Sequence, residues 1–266
     1  MGGQPRNQSP LKMSTEIKRT ALITGATSGI GRATANLLAK NGLRLILCGR
    51  RADRLSELES DLGAITDVIT LQFDVRDRGA VYDAIGHLPE EFKQIDILIN
   101  NAGNAHGLDP IQDGDPDDWD AMLDINVKGL LYVTKAVLPG MIDREAGHII
   151  QIGSTAGKEV YPRGNVYCAS KYAVDAINQG MRIDLNGKGI KVGAVNPGLV
   201  QTEFSEVRFK GDKDRADTVY QGYQPLLPQD VAEVIWFALT RPPHVNIADL
   251  TMMCLDQASS TIVNKR

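Results

Sequence analysis

Cysteine and histidine are scarce in this sequence, and neither is arranged as a metal site would require. The three cysteines, Cys48, Cys168 and Cys254, are far apart and lie in apolar surroundings. An odd number of widely spaced cysteines is typical of reduced core thiols rather than of a disulfide framework or a zinc site. The four histidines are isolated, with none at ligand spacing from another histidine or a cysteine. We therefore expect no bound metal and a reducing, cytoplasmic location.

Long apolar runs and clusters of basic residues are also missing. No segment approaches the roughly 20 apolar residues that a membrane-spanning helix needs. The formal net charge is -4, and no basic run is present that could displace counterions from a nucleic acid backbone. The sequence therefore predicts a protein that binds neither membranes nor nucleic acids.

The first dozen residues, MGGQPRNQSPLK, are polar and lack the apolar stretch of a secretory signal. We expect residues 1–18 to form a disordered leader or tail, and Met13 is a second plausible start. The remaining residues, 19–266, fall within the size range of one large α/β domain. We therefore expect a single domain with one sizeable core.

From Arg19 onward, short apolar runs alternate with longer segments of helical periodicity, an order that predicts repeated βαβ units. Strands are predicted at 21–24, 43–48, 68–73, 95–100, 148–152, 191–196 and 250–254. Helices are predicted at 30–41, 52–62, 77–87, 117–138, 166–186 and 229–240. The fold class is therefore α/β: a doubly wound, parallel, seven-stranded, Rossmann-like sheet with helices on both faces. Such sheets bind ligands beyond the carboxyl ends of their strands.

The turn after the first predicted strand, TGATSGIGRA, is a candidate phosphate-binding turn. Its glycines let the backbone approach a pyrophosphate, and the free N–H groups of the following helix attract the anion. The spacing differs from the G-x-G-x-x-G fingerprint and lacks the ending of an ATP-binding P-loop. The alternative is a tight βα turn without a ligand. The predicted contacts are Gly25, Thr27, Ser28, Gly29, Ile30 and Gly31.

The end of the second predicted strand bears on the choice of dinucleotide. An acidic residue at this point would bind the ribose 2′-hydroxyl and repel a 2′-phosphate. The sequence has Gly49 there, followed by Arg50 and Arg51, and a guanidinium offers planar, charged donors to a phosphate. We therefore predict NADP(H) as the cofactor, with a solvated loop that begins with two arginines as the alternative.

A set of motifs in fixed order resembles the short-chain dehydrogenase/reductase family over essentially all of 19–266. TGATSGIG resembles the cofactor turn of that family, FDV its adenine contact, NNAG the turn after its fourth strand, and NPGLVQT its P-G-x3-T segment. The resemblance implies further cofactor contacts at Asp74, Val75, Asn101, Ala102, Gly103, Pro197, Gly198, Val200 and Thr202. It also implies a catalytic tetrad of Asn126, Ser154, Tyr167 and Lys171.

The tetrad residues have a chemical reason to occur together. Ser154 precedes Tyr167 by 13 residues, and Lys171 lies one helical turn beyond Tyr167 on the same face. A tyrosine with a reference pKa of about 10 is a poor base near neutral pH, so we predict that the Lys171 ammonium, with help from the positive charge of oxidised nicotinamide, lowers its pKa. Ser154 would donate a hydrogen bond to the reacting oxygen. The resemblance adds ribose binding by Lys171 and a relay water held by Asn126. Singly, Ser154 could instead be a strand-end hydroxyl and Asn126 a helix-interior amide bonded to a backbone group. Tyr167 and Lys171 could be an amphipathic pair on a solvated helix face.

Substrate contacts are sought in the long segment of about 28 residues between Gly198 and the next helix, because loops of that length are usually functional or disordered. Arg208 and Lys210 within it, and Arg163 before the catalytic helix, are candidates to bind a substrate carboxylate. Charged residues on a mobile surface loop are the alternative for each. The family resemblance also implies a homotetramer.

Within the family, STAGKEVYPRGNVYCASKYAV, NPGLVQTEFSEVRFKGD and HVNIADLTMM most resemble NADP-dependent 3-hydroxy acid dehydrogenases of the serine and L-allo-threonine type. The resemblance implies hydride transfer between NADP and the 3-hydroxyl or 3-oxo group of a small 3-hydroxy acid or 3-hydroxy amino acid. One alternative is a 3-oxoacyl thioester or carrier-protein reductase. An alternative of another class is a nucleotide-sensing module without catalysis.

Overall fold

The computed structural model describes residues 18–266, so nearly all of the predicted leader lies outside the described residues. Seven parallel strands form one sheet in the order β3-β2-β1-β4-β5-β6-β7. The strands are β1 Thr20–Thr24, β2 Arg44–Gly49, β3 Val68–Gln72, β4 Ile97–Asn100, β5 Gly147–Ile152, β6 Ile190–Pro197 and β7 Asp249–Met252. Each predicted strand is present, and the fold-class prediction is confirmed.

Helices cover both faces of the sheet. They are α1 Gly29–Lys40, α2 Ala52–Gly63, α3 Arg78–Gly86, α4 Pro116–Leu123, α5 Leu130–Asp143, α6 Asn165–Asp184, α7 Phe204–Arg208, α8 Lys213–Val219 and α9 Pro228–Leu239. One apolar cluster joins the sheet to α1, α2 and α9, and a second joins the opposite face to α3 and α5. Within β1, Ala21 and Ile23 belong to the first cluster and Leu22 to the second, as expected for a strand that is buried on both faces.

The prediction of one continuous helix at 117–138 is wrong in one respect. A π-helical segment, Asp124–Gly129, separates α4 from α5. The side chain of Asn126 in this segment donates from Nδ2 to Asn104 O at 2.8 Å and to Ser170 Oγ at 3.0 Å. A π-helical turn inside a longer helix is common at functional sites and leaves the apolar pattern on either side almost unchanged. The sequence periodicity therefore could not reveal it.

The long segment after β6 is more ordered than a plain loop. It contains α7 and α8 before α9 begins at Pro228. The Asp212 side chain accepts a hydrogen bond from the Arg215 backbone N–H at 3.0 Å and caps α8. These helices are only one to two turns long, which is too short for hydrophobic periodicity to identify.

Several structural findings apply to the described part of the chain, residues 18–266. No helix there has the length and hydropathy to cross a membrane. No group of three or more His, Cys, Asp or Glu side chains there could hold a metal ion. All three cysteines are buried and free.

Candidate active site

A cavity of about 520 Å³ lies beyond the carboxyl ends of the strands, where the turns after β1, β2, β4, β5 and β6 converge. The chain order reverses between β1 and β4, and this is the position at which doubly wound sheets bind nucleotides. The predicted residues that line the cavity are Gly25, Thr27, Ser28, Gly29, Ile30, Arg50, Arg51, Asp74, Val75, Asn101, Ala102, Gly103, Ser154, Tyr167, Lys171, Pro197, Gly198, Val200, Thr202 and Arg208. Gly31, Asn126, Arg163 and Lys210 are not among its lining residues.

The glycine turn is packed too tightly for side chains at two positions. Gly25 has a φ of +65°, which favours glycine, and a Cβ at Gly31 would lie 2.5 Å from Asn101 Nδ2 and overlap Gly25 O. Asn101 Nδ2 donates to Thr24 O at 2.9 Å and to Gly25 O at 3.1 Å. These bonds hold the turn after β4 against the turn after β1. Gly31 thus contributes to the cradle by close packing although it does not line the cavity.

The N-terminus of α1 points its first N–H groups at this turn. Ser28 is the N-cap residue of α1. Within the described residues, no side chain makes a capping hydrogen bond to the N–H groups at this end of the helix, and the first turn contains no acidic residue. The backbone donors and the positive end of the helix dipole are therefore available to a phosphate. The local structure fits the pyrophosphate of a dinucleotide.

The arginines after β2 are paired with carboxylates. Arg51 donates to Thr27 Oγ1 from Nε at 3.3 Å and from Nη2 at 3.1 Å, and its Nη1 donates to Glu203 Oε2 at 2.9 Å. Arg50 is more exposed, and its Nη1 lies 3.6 Å from Asp74 Oδ2. Burial would raise the pKa of the Asp74 carboxyl, but hydrogen bonds from Arg76 hold it below its usual value. The edge of the cavity at β2 is therefore rich in guanidinium donors.

The other end of the cavity holds Ser154, Tyr167 and Lys171. Ser154 follows β5, and Tyr167 and Lys171 lie on α6, where both side chains are buried. Lys171 Nζ donates to Ile152 O at 2.9 Å and lies 6.0 Å from the centre of the Tyr167 ring. The Ile152 carbonyl at the end of β5 thus holds the Lys171 ammonium between β5 and the Tyr167 ring.

In the protein chain without a nicotinamide cofactor, the pKa of Tyr167 is raised and not lowered. Burial raises the pKa of Tyr167, and the neighbouring Tyr161 raises it further, while Ser154 and Arg208 oppose the shift. Burial lowers the pKa of Lys171 to about 8. A desolvated pair disfavours both charged forms, and this effect exceeds the attraction that the four-residue spacing suggested.

Asn126 is buried behind the cavity. Its Oδ1 accepts a hydrogen bond from the Asn104 N–H at 2.9 Å, and its Nδ2 donates to Asn104 O and Ser170 Oγ. A Cβ at Gly103 would lie 3.0 Å from this Oδ1, so the turn after β4 rests directly on the amide. The π-helical segment therefore links the NNAG turn to α6, which holds Tyr167 and Lys171.

The three candidate substrate cations lie in different places. Arg208, on α7, donates from Nη2 to Tyr161 Oη at 2.6 Å and faces the ring of Tyr167. Arg163 lines a separate small pocket, and Lys210 Nζ lies 3.1 Å from Asp118 Oδ2 and 3.6 Å from Asp115 Oδ2. The structure thus brings Arg208 alone of the three to the cavity that holds Ser154 and Tyr167.

Sequence reasoning missed several side chains that line the cavity, among them Tyr161, Glu203 and Phe204. Tyr161 and Phe204 surround Arg208, with its guanidinium carbon 5.5 and 5.8 Å from their ring centres, and Glu203 pairs with Arg51. Aromatic residues make up only 5% of the chain, so Phe204, two residues after the predicted contact Thr202, could have been recognised as a candidate from the sequence. Glu203 had no comparable signal, because its partner is 152 residues away.

Comparison with known proteins adds independent findings. The model of the short chain dehydrogenase family matches residues 19–213. The chain is 46% identical over 238 residues to an NADP-dependent 3-hydroxy acid dehydrogenase of Salmonella typhi, which covers 89% of this chain and 95% of the relative. It is also 46% identical over 246 residues to sulfoacetaldehyde reductase 2 of Chromohalobacter salexigens, over 92% of this chain and 98% of that protein.

Solved structures agree with these relatives. The closed form of a serine dehydrogenase complexed with NADP+ superposes with a TM-score of 0.88 at 45% identity, over 93% of this chain and 99% of that one. A 3-ketoacyl-ACP reductase from Sinorhizobium meliloti 1021 has a TM-score of 0.77 at 30% identity, over 88% and 96% of the two chains. With a family model that matches most of its length and relatives near half identity, this chain belongs to the short-chain dehydrogenase family.

Proposed function

We propose that this chain is an NADP-dependent dehydrogenase that interconverts a small 3-hydroxy acid or 3-hydroxy amino acid and its 3-oxo form. Serine, L-allo-threonine and 3-hydroxypropionate are the candidate substrates. The observation that carries the proposal is that one cavity joins the arginines after β2 to Ser154, Tyr167 and Arg208. A phosphate-binding end, an acid/base pair and a cation for an anionic substrate therefore line one continuous cavity.

The residues present fit NADP. The cradle at Gly25 and Gly31 has no room for side chains, the α1 N-terminus offers N–H groups, and Arg50 and Arg51 offer guanidinium donors near the expected 2′-phosphate. The remaining cofactor contacts inferred from the sequence line the same cavity. NADP, when bound, supplies the hydride acceptor or donor. The serine dehydrogenase that superposes on this chain is complexed with NADP+, which supports this choice of cofactor.

Side chains of this protein donate and accept the proton that accompanies hydride transfer. Tyr167 stays protonated in the chain alone because burial raises its pKa, so it is poised as the donor to a carbonyl oxygen. Ser154, which adjoins it, is placed to donate a second hydrogen bond to that oxygen as negative charge develops. Lys171 is held on the Ile152 carbonyl, where it can bind the nicotinamide ribose, and Asn126 supports the turn after β4.

Arg208 is the residue we assign to the acidic group of the substrate. Its guanidinium lies between three aromatic rings, of Tyr161, Tyr167 and Phe204, and within residues 18–266 no carboxylate pairs with it. A partly buried guanidinium is suited to bidentate binding of a planar carboxylate. Arg163 and Lys210 remain weaker candidates because they do not line this cavity.

A sulfonated aldehyde is the second candidate substrate, because the sulfoacetaldehyde reductase has the same identity to this chain as the hydroxy acid dehydrogenase. Arg208 could bind a sulfonate as well as a carboxylate. The 3-oxoacyl thioester alternative is supported by a 3-ketoacyl-ACP reductase that is only 30% identical to this chain. In addition, Lys210, which could have helped to form a basic docking patch, is paired with Asp115 and Asp118. A nucleotide-sensing module would not need Ser154, Tyr167 and Lys171 along one cavity.

The proposal also covers the partner, the cellular location and the oligomeric state of the enzyme. Its partner is a small-molecule substrate, and a cytoplasmic location is supported by the three buried free thiols. A homotetramer is supported by exposed apolar side chains on α5 and α6, among them Leu131, Tyr172 and Ile183.

A spectrophotometric screen tests the proposed function. NADP reduction is followed with 3-hydroxypropionate, L-allo-threonine and serine, and NADPH oxidation with sulfoacetaldehyde and a short acetoacetyl thioester. Turnover of the hydroxy acids with a clear preference for NADP over NAD is expected. Turnover of the thioester without any activity on the hydroxy acids would contradict the proposal.

A further inference from the structure

Glu203 connects the segment after β6 to the cofactor end of the cavity. Its two carboxylate oxygens are shared between two guanidiniums: Oε2 lies 2.9 Å from Arg51 Nη1, and Oε1 lies 2.5 Å from Arg54 Nη1. All three side chains are partly buried, with 34 to 40% of each side chain exposed. Burial alone would raise the pKa of the Glu203 carboxyl, but hydrogen bonds from Arg54 and Arg51 lower it. The carboxylate is thus held as an anion between two cations.

One of the two arginines that Glu203 binds, Arg51, is a candidate ligand of the 2′-phosphate. Arg51 and Glu203 both line the cavity, beside Thr27 and Ser28 of the glycine turn. Two of the three donor nitrogens of Arg51 contact Thr27 Oγ1, and the third contacts Glu203. Within the described residues, three of the five N–H donors of Arg51 are thereby engaged, and one N–H on Nη1 and one on Nη2 are left for a phosphate oxygen. Because Glu203 already binds Nη1, a phosphate that approaches this nitrogen meets the carboxylate and must displace it to bind both N–H groups.

The position of Glu203 is fixed by its neighbours and not by the ion pairs alone. Thr202 packs on the glycine turn, where a Cβ at Gly29 would meet Thr202 Cγ2 at 3.1 Å. Thr202 Oγ1 also accepts a hydrogen bond from the Phe204 N–H at 3.1 Å, at the start of α7. Backbone on both sides of Glu203 is therefore anchored, so the carboxylate is presented to the arginines before any cofactor arrives.

From this geometry we infer that Glu203 is an internal competitor for the 2′-phosphate of NADP, and that it limits the selectivity of the chain for NADP over NAD. The inference rests on the cofactor part of the proposed function. A phosphate with a charge of about -1.5 to -2 gains from Arg51 and Arg54 but is repelled by the carboxylate between them. NADP binding carries the cost of releasing Glu203, whereas NAD, which has no 2′-phosphate, leaves the ion pairs in place.

Glu203→Gln tests this inference by calorimetric titration of the full chain, without turnover. The probes are 2′,5′-ADP, which has the 2′-phosphate, and 5′-AMP, which lacks it. We expect Glu203→Gln to bind 2′,5′-ADP about three- to tenfold more tightly, as the loss of two partly exposed ion pairs allows. Binding of 5′-AMP should change less than about twofold. The ratio of NADP to NAD affinity should rise by the same factor as 2′,5′-ADP binding.

Glu57→Gln is the matched control. Glu57 contributes a charge near Arg54, but its own hydrogen bond is to Arg32 Nη2 at 2.6 Å. The variant removes the same charge from the same region without freeing a donor of Arg51 or Arg54. If Glu57→Gln tightens 2′,5′-ADP binding as much as Glu203→Gln does, general charge and not donor occupancy is responsible, and the inference is wrong.

The other outcomes are equally decisive. Unchanged or weaker binding of 2′,5′-ADP to Glu203→Gln would show that the carboxylate orients the arginines and does not compete. A wild-type chain that binds 2′,5′-ADP no better than 5′-AMP would instead refute the proposed cofactor. Glu203→Ala repeats the test without a side-chain amide, should Glu203→Gln not fold.

Discussion

The guanidinium carbon of Arg208 lies 5.2 Å from the centre of the Tyr167 ring. The arginine comes from the short helix α7 and the tyrosine from α6, so the segment after β6 covers the end of the cavity that holds Ser154 and Tyr167. Arg208 also donates from Nε to Gly107 O at 3.2 Å, which ties α7 to the segment after β4. A cation is thereby held above the side chain that we assign to proton transfer.

Arg208→Ala should raise the Michaelis constant for a carboxylate substrate. A charge-assisted hydrogen bond is worth about 1.5 to 3 kcal/mol, so we expect a loss of roughly ten- to hundredfold in kcat/KM for 3-hydroxybutyrate. The methyl ester, which has no charge, should lose much less. Steady-state kinetics on the two compounds measures the difference.

Arg215→Ala is the control for that prediction, because Arg215 stacks on Phe209 at 4.2 Å and belongs to α8. It should leave the ratio of acid to ester activity unchanged. Equal losses for acid and ester in Arg208→Ala would contradict the assignment of the carboxylate contact to Arg208.

Tyr167→Phe should abolish proton transfer while the cofactor site remains. A positioned acid or base typically contributes about 10² to 10⁴ in rate, so kcat should fall by that factor. Binding of 2′,5′-ADP should stay within about twofold of wild type, since the hydroxyl is at the other end of the cavity.

Tyr161→Phe is the matched variant, since it removes the hydroxyl that Arg208 contacts at 2.6 Å. Its effect should fall mainly on KM for the acid, because it loosens Arg208 and leaves Tyr167 intact. A kcat for Tyr167→Phe near the wild-type value would refute the assignment of the proton donor.

The buried Lys171 should make stability depend on pH. Its pKa falls from 10.5 to about 8 on folding, so between these values Lys171 is protonated in the unfolded chain and largely deprotonated in the folded chain. The free energy of unfolding contributed by Lys171 therefore rises with pH in this window, by roughly 1 to 2 kcal/mol between pH 8 and pH 9.5. Denaturant titration of wild type and Lys171→Met at both pH values measures it, because the variant should lack this rise.

Lys128→Met controls for the loss of a lysine charge. Lys128 is exposed, and a hydrogen bond from its ammonium to Asp124 raises its pKa, so it keeps its proton throughout the same window. Its pH dependence should parallel that of wild type. Identical pH profiles for wild type and Lys171→Met would contradict the lowered pKa.

Gly31→Ala should damage the cofactor cradle. The added Cβ would lie 2.5 Å from Asn101 Nδ2 and against the Gly25 carbonyl, and overpacking of this kind costs about 1 to 3 kcal/mol. We expect a lower melting temperature and at least tenfold weaker binding of 2′,5′-ADP.

Gly63→Ala is the comparison, because a Cβ there meets nothing within 4 Å at the end of α2. It should leave binding unchanged and stability equal or slightly higher. If Gly31→Ala matches Gly63→Ala in both measurements, the turn has more room than the structure indicates.

Local patterns were sufficient for the layers of the fold. The buried strands β1, β2 and β4 appear in the sequence as apolar runs, and the helix that holds Tyr167 and Lys171 is predicted at 166–186 and found at Asn165–Asp184. The π-helical segment around Asn126 was missed because it does not break the apolar periodicity. The helices α7 and α8 were missed because they are shorter than the window in which periodicity can be read.

The sequence by itself determined the order of strands and helices, the glycine turn, and the pairing of Tyr167 with Lys171 on one helical face. Each of these depends on residues close together in the chain. Only the tertiary structure decided that Arg208 faces Tyr167 while Lys210 pairs with Asp118, and that Glu203 reaches Arg51 across 152 residues. It also decided the direction of the Tyr167 and Lys171 pKa shifts, because desolvation depends on everything packed around a group and not on its neighbours in sequence.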